Sequence, residues 1–427
     1  MSGHAPLLRI DTATVLRRYW HLERALILTC GGWIPAVAHL ETKSALAEIA
    51  WQSSLTGNEL RERVFELRYP ERALEREPDA ALIELFEISA NAPDANALLR
   101  GLTEHYLPAL RSSYESYLAL SDPIADGPTY RFLQLAVAEK RSHEERLAGA
   151  ASTQSPTDRG ERWLDEIAAR LKELGGVTVD APRGAGDRDD PGVPFRLAER
   201  PARDGRYFQC SFYWPDNFDP SFPYGEGPRL QLRTAISHLN EVWAVETAGA
   251  ILHGLGPALG WEYIVDAARW CYDESRHMRM GALRLQRWGF DRAELPLGSF
   301  IYEACAGESI VHRLGMLAFF ETRNIGKKAQ RAVTFGSLGD TSSQRDMEFD
   351  WADEAIHAGY GRRWLREAVG AEGHTGDWTE VLKHCDELVA ERVAAASESE
   401  KAALRTQAER LIVKAARTLT GDGGEAT

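Results

Sequence analysis

The stretch Asp273-Glu274-Ser275-Arg276-His277 returns eighty residues later as Asp353-Glu354-Ala355-Ile356-His357. A Glu and a His at i and i+3 share one helix face, so a carboxylate oxygen and an imidazole nitrogen converge from adjacent turns and can reach one metal ion. Helical bundles that hold two metal ions use two such Glu-x-x-His helices, with one inward Glu from each of two others. Two divalent ions side by side repel, and four carboxylates offset that charge.

The two partner helices must therefore each supply a Glu. Before the first pair, Glu246 sits in an apolar run from Val242 to Leu252, where a carboxylate is costly without a partner. Glu241, five residues earlier, falls on roughly the opposite face at ~100° per residue, so Glu246 is the preferred ligand. Before the second pair, Glu321 follows Leu314-Gly-Met-Leu-Ala-Phe-Phe320, while Glu308 faces elsewhere. The expected ligand set is Glu246, Glu274, His277, Glu321, Glu354 and His357. The separations from lone to paired Glu are 28 and 33 residues, each fitting a helix, a turn and part of an antiparallel return. Asp273 and Asp353, four residues before each His, are placed to take the outer imidazole N–H and fix its tautomer. No catalytic residue beyond the ligands is expected. His253, seven residues beyond Glu246, and Leu314 and Leu317 on the other approach, are expected to line a substrate pocket. Trp270, Tyr272, Trp351 and Tyr360 flank the paired motifs, and a tyrosine there could relay an electron.

Working outward, the fold class reads as all-α. Residues 1–150 carry helical periodicity broken by turn residues at Gly57-Asn58, Ala92-Pro93-Asp94 and Asp126-Gly127-Pro128, and suggest a first helical bundle. His39, Glu41, Glu48, Glu139 and His143 in it do not repeat the paired pattern; no metal is expected there, and the Glu139/His143 face reads as solvated. Residues 151–228 form a linker. It begins with a short helix, passes through a Gly/Pro/Asp/Arg-rich connector and ends in an aromatic strap holding Tyr207, Phe208, Phe212, Tyr213, Trp214, Phe218, Phe222 and Tyr224. Those rings need something to pack on, and the strap can also wall a pocket. Residues 229–369 form the metal-binding bundle, on helices expected at 230–255, 261–288, 299–323 and 342–369. Residues 370–427 are a helical extension, with a single helix expected at 378–420 and the last seven residues frayed.

The chain has 427 residues and a net charge of -14, which argues against a broad nucleic-acid surface. Its five scattered cysteines form no CxxC pair, so neither a disulfide framework nor a thiolate zinc site is expected, and a cytoplasmic setting fits. The longest apolar stretch, residues 25–40, holds Gly31, Gly32 and Pro35 and is short of the roughly 20 residues of a membrane span.

At Ile236-Ser-His-Leu-Asn240, Asp273-Glu-Ser-Arg-His277, Phe320-Glu-Thr-Arg323 and Asp353-Glu-Ala-Ile-His357 the sequence resembles the ferritin-like superfamily, within it a poorly characterised bacterial group. That group often carries an acidic residue soon after the first-helix His, where this chain has Asn240. The resemblance covers residues 229–369 and implies a four-helix bundle with two iron ions, manganese being the alternative. It also implies, as an expectation, an oxidase or oxygenase acting with dioxygen and an electron donor on a small organic metabolite. The alternative is a non-catalytic metal-binding or structural protein. A homodimer is compatible with either.

Overall fold

The computed structural model describes residues 7–70, 79–183, 192–371 and 377–419. The centre of the Gly/Pro-rich connector and the tail at 421–427 lie outside the described residues. Among the described residues the regular structure is helical apart from one two-residue parallel pairing, Phe208–Gln209 with Pro296–Leu297. No described helix is long and apolar enough to cross a membrane.

Two compact units divide the chain. The first comprises residues 1–33 and 45–197, the second residues 34–44 and 198–427. Helices α1 (Arg9–Trp33), α2 (Leu40–Glu66), α3 (Ala80–Glu87), α4 (Ala95–Arg100), α5 (Leu107–Leu120), α6 (Gly127–Ala151) and α7 (Asp158–Leu174) come first, and the division falls inside α2. Contrary to the expected break at Gly57-Asn58, α2 runs straight through. A glycine inside a helix costs about 1 kcal/mol, and the buried Leu60 and Val64 beyond it offset that. The face expected to be solvated is buried at His143 and half-buried at Glu139. His143 is 1% exposed and bonds Gln52 at 2.5 Å through Nε2. Next to it Lys140 pairs with buried Glu23 at 2.8 Å, whose other oxygen accepts from Tyr114. His39 and Glu41 belong to the second unit, where Glu41 pairs with Arg206 and Arg292.

In the second unit, α8 (Gly227–Asn240), α9 (Val242–Leu259), α10 (Trp261–Arg287), α11 (Phe300–Ala304), α12 (Ile310–Ser337), α13 (Thr341–Ala371), α14 (Trp378–Ala394) and α15 (Glu398–Leu419) follow. Three differences from the sequence expectation matter. The first helix of the bundle is interrupted at Glu241, which caps α8 and starts α9. The third breaks at Gly307, whose φ of 80° is left-handed, and then runs on to Ser337, well past residue 323. The C-terminal helix divides into α14 and α15. Helix α9 packs on α10, α10 on α13, α13 on α12, and α12 back on α9, so four rods close a ring. Close approach depends on small residues. A Cβ at Gly281 of α10 would sit 2.3 Å from the Leu239 nitrogen of α8, so only glycine lets these backbones meet there.

The strap lies against this ring through arginines. Buried Arg233 of α8 holds Asp216 at 2.7 and 2.9 Å and faces the rings of Tyr224, Tyr213 and Trp214 at 4.8–6.0 Å. Arg331 of α12 covers Tyr224 at 4.3 Å. Stacked cations on aromatic faces hold better when desolvated, which fixes an otherwise irregular segment.

Candidate metal centre

Inside the ring of helices, Glu274, Glu321, Glu354 and His357 bring donor atoms within 4.8 Å of one another, all buried. A second group joins Glu241, Glu274 and His277, and a third His277, Asp350 and Glu354. Glu274 and Glu354 are thus shared, Glu321 lies on the His357 side, and Glu241 on the His277 side. The arrangement has two halves with carboxylates between them.

Glu246, preferred from sequence, is not among them. It is fully buried and paired with Lys43 at 2.9 Å and with Arg203. A carboxylate in so apolar a helix does have partners, but they are the cations Lys43 and Arg203 rather than a metal. Glu241 takes the place instead. Its position at the junction of α8 and α9 turns it inward, and its Oε2 lies 3.6 Å from His277 Nδ1. A face count that assumed one continuous helix could not show this. Asn240 beside it fixes the junction, bonding the carbonyls of Ile236 and Pro296 and the amide of Gly298 at 2.8–2.9 Å.

The two imidazoles are oriented crosswise. His277 Nε2 donates to Asp353 at 3.1 Å, and His357 Nε2 faces Asp273 at 3.4 Å. Each Asp therefore serves the histidine of the opposite helix, not the one four residues along its own. Arg276 bonds both carboxylates, at 2.7 and 2.9 Å, and Arg269 bonds Asp273 at 2.6 Å. Carboxylates only accept, so the Nε2 atoms carry protons toward Asp353 and Asp273, and the Nδ1 atoms face the cluster, where a bound metal would take the place of any proton on them. There, His277 Nδ1, His357 Nδ1, Glu241 Oε2 and Glu354 Oε2 are buried without a hydrogen-bond partner. Orphaned donors and acceptors of this kind are rare in a core, and four of them converging is what a bound cation would satisfy. On this test the residues fit a pair of divalent metal ions.

Two residues that sequence reasoning passed over complete the cluster. Asp350, one turn before Glu354, lies 3.4 Å from His277 Nδ1 and accepts from His238 Nε2 at 3.0 Å. Lys328, seven residues beyond Glu321 on the same face of α12, puts its ammonium 2.7 Å from Asp350, 2.5 Å from Glu354 and 3.3 Å from Glu241. The field shifts several of these groups. Burial, with Asp350 nearby, lifts Glu241 to about 7 against the pull of Lys328. Burial and the Glu274 charge push Glu354 well up. Burial also opposes the charge on Glu274, but His277 and His357 prevail and bring it down to about 2. Burial works against a proton on His357, yet Asp273 and Glu274 raise it to about 9, and Asp350 leads a similar rise at His277. His238 goes the other way, to about 3, through burial and then Arg284.

A cavity of about 650 Å³ opens onto this cluster. Glu241, Glu274, Glu321, Glu354 and Lys328 form its floor, Trp243 and Phe320 one wall, and the strap, with Tyr213, Phe222 and Tyr224, another. The strap does wall it, as its rings suggested. The pocket residues expected from sequence do not line it. Leu314 and Leu317 are fully buried in the helix packing, and His253 is not among the lining residues. The expectation was measured from Glu246 and so pointed along α9 instead of toward α8. Trp270 stacks on His357 at 5.4 Å and donates to Glu274 at 3.2 Å, whereas Trp351 is 46% exposed.

A sequence-family model described as "Protein of unknown function (DUF455)" matches residues 199–409, just under half the chain and including every member of the cluster. No curated protein and no solved structure matches the chain.

Proposed function

We propose that the second unit is a ferritin-like four-helix bundle whose buried cluster holds two metal ions, iron in the first place and manganese as the alternative, and that it oxidises a small organic metabolite with dioxygen. The observation that carries this is the convergence of the two Nδ1 atoms and two carboxylate oxygens, all unpartnered, on one buried space. His357 and Glu321 would hold one ion, His277 and Glu241 the other, and Glu274 and Glu354 would stand between them. Such a pair of ions, when bound, supplies the redox chemistry that amino-acid side chains lack.

The chain's own residues set the conditions. Asp273 and Asp353 hold each imidazole in one tautomer and orientation. Trp243, Phe320 and the strap rings shield the floor of the cavity from bulk water, which strengthens local electrostatics and limits side reactions. The cavity has the size and mixed lining of a small-molecule site. Charge balance supports two divalent ions. With the carboxylates ionised and the imidazoles neutral, as metal ligands must be, the five carboxylates of Glu241, Glu274, Glu321, Glu354 and Asp350 outnumber the single ammonium of Lys328 by four.

Lys328 also favours a second reading, a purely structural ionic core, because it already supplies one internal cation. Metal analysis separates the two. Protein from iron-supplemented cells is expected to carry close to two metals per chain, and Glu274→Ala to lose at least one while its helicity survives. A parent protein without metal would leave only the structural reading. Oxygen uptake after ferrous loading tests the activity. Ala244→Trp, which fills the cavity, should keep the metal and lose any substrate-dependent uptake.

A further inference from the structure

A second group of metal-binding side chains stands apart from the buried cluster. Glu308 precedes α12, His312 lies in its first turn, and His384 is on α14. His312 and Glu321 are nine residues apart on α12, about 14 Å along the axis. The three residues each bring a donor atom within 4.8 Å of the others.

We propose that Glu308, His312 and His384 form a separate site for a divalent transition metal of the zinc class. Glu308 Oε2 lies 3.5 Å from His312 Nδ1 and 3.4 Å from His384 Nε2. These separations exceed a hydrogen bond. They are close to the edge of a tetrahedron around a metal whose bonds to nitrogen and oxygen are about 2.0–2.1 Å, which is roughly 3.3 Å. The two rings meet edge to face at 4.9 Å, so both nitrogens approach the same oxygen from different sides.

The surroundings hold this geometry. Gly315 lets α14 approach α12, since a Cβ there would lie 2.6 Å from Val381 Cγ1 and 3.1 Å from Cys385 Sγ. The buried thiols of Cys385 and Cys305 donate to the His312 carbonyl at 3.3 and 3.7 Å. Burial raises both thiols, Cys305 to about 12, so they fix the backbone as neutral donors. Glu387, 3.8 Å from the far nitrogen of His384, adds a negative charge beside the ring without a hydrogen bond to it. The Ser309 hydroxyl, 3.3 Å from His312 Nδ1, is a contact a metal would displace. Two imidazoles and a carboxylate, 18–39% exposed, leave a fourth position for water. Imidazole donors select zinc, nickel or copper over magnesium and calcium.

The test uses the full chain and its Glu274→Ala variant, in which the buried cluster lacks one shared carboxylate and binds at most one ion. Zinc is titrated in competition with a chromophoric chelator, and cobalt(II) reports coordination through its visible bands. One zinc per chain should bind in the Glu274→Ala background with a tetrahedral cobalt spectrum, and zinc should raise the unfolding temperature. His384→Ala and Glu308→Gln in that background should weaken binding at least 100-fold. Both sites of change are partly exposed, and circular dichroism confirms folding. Unchanged zinc affinity in both variants would overturn the proposal, as would a cobalt spectrum in the Glu274→Ala background that His384→Ala leaves unaltered.

Discussion

Glu246 offers the sharpest separation between a carboxylate that binds metal and one that is only buried. Glu246→Gln keeps the shape and removes the charge. Lys43 then faces an amide at 2.9 Å, with the Ile34 carbonyl at 2.8 Å as its other partner, and Arg203 retains only the Gly298 carbonyl at 2.8 and 3.1 Å. Leaving one partner of a buried pair uncompensated costs about 3–5 kcal/mol. In a unit of this size each kcal/mol moves the midpoint by about 2–4 °C, so a fall of about 6–20 °C is expected. Burial already lowers Lys43 to about 8 even with Glu246 beside it. Without that charge the amine should give up its proton near neutrality, which brings the cost toward the lower end. Adding Lys43→Met should recover part of the loss, because the two residues are coupled. Metal content should stay at the parental value throughout, whereas Glu241→Gln should lower it with a smaller thermal effect. Calorimetry and metal analysis on the same samples decide it. Loss of a metal ion in Glu246→Gln, with full occupancy in Glu241→Gln, would refute the assignment.

Lys328→Met removes the cation that Glu241, Asp350 and Glu354 share. The metal-free protein should lose about 3–5 kcal/mol, and divalent metal should bind at least tenfold tighter because a competitor has gone; weaker binding in a chelator titration would mean that Lys328 supports the ions instead. Burial, then Lys140 and Arg146, hold His143 well below its usual 6.5. The unfolded chain thus binds a proton that the folded chain excludes, so stability should fall as the pH drops below about 6.5. His143→Gln should flatten that slope in urea titrations at pH 5–7. Arg233→Met should free the strap and speed proteolysis between residues 215 and 224, and Arg233→Lys should not restore protection, since a lysine cannot bind Asp216 in two places while covering the rings. Equal cleavage rates for all three proteins would count against the clamp.

The paired motifs made the helical class and the centre of the cluster legible, because an i, i+3 spacing is local and survives without knowledge of the fold. Glu274, His277, Glu321, Glu354 and His357 do converge. Asp350 was also readable, since Asp346, Asp350, Asp353, Glu354 and His357 form one stripe at helical period on α13. Lys328 needed the true end of α12, which no capping residue marks near residue 323. Glu246 and Glu241 were exchanged for a different reason. Apolar flanks report burial but not the identity of the partner, and Lys43 lies two hundred residues away in sequence. The junction at Glu241 carries neither Gly nor Pro, so nothing local announces that the helix turns there. The crosswise pairing of aspartates and histidines is likewise a property of two helices side by side and cannot be read from either alone.

That exchange makes α10 and α13 mutually dependent. Each helix carries the inward-facing imidazole of one half and the orienting carboxylate of the other, like two keys cut from a single blank. A slip of one residue, about 1.5 Å and 100°, would swing His277 out of the cluster and at the same moment take Asp273 from His357. Damage to either helix therefore reaches both halves, and neither half can drift, weaken or be lost in evolution while its neighbour is kept.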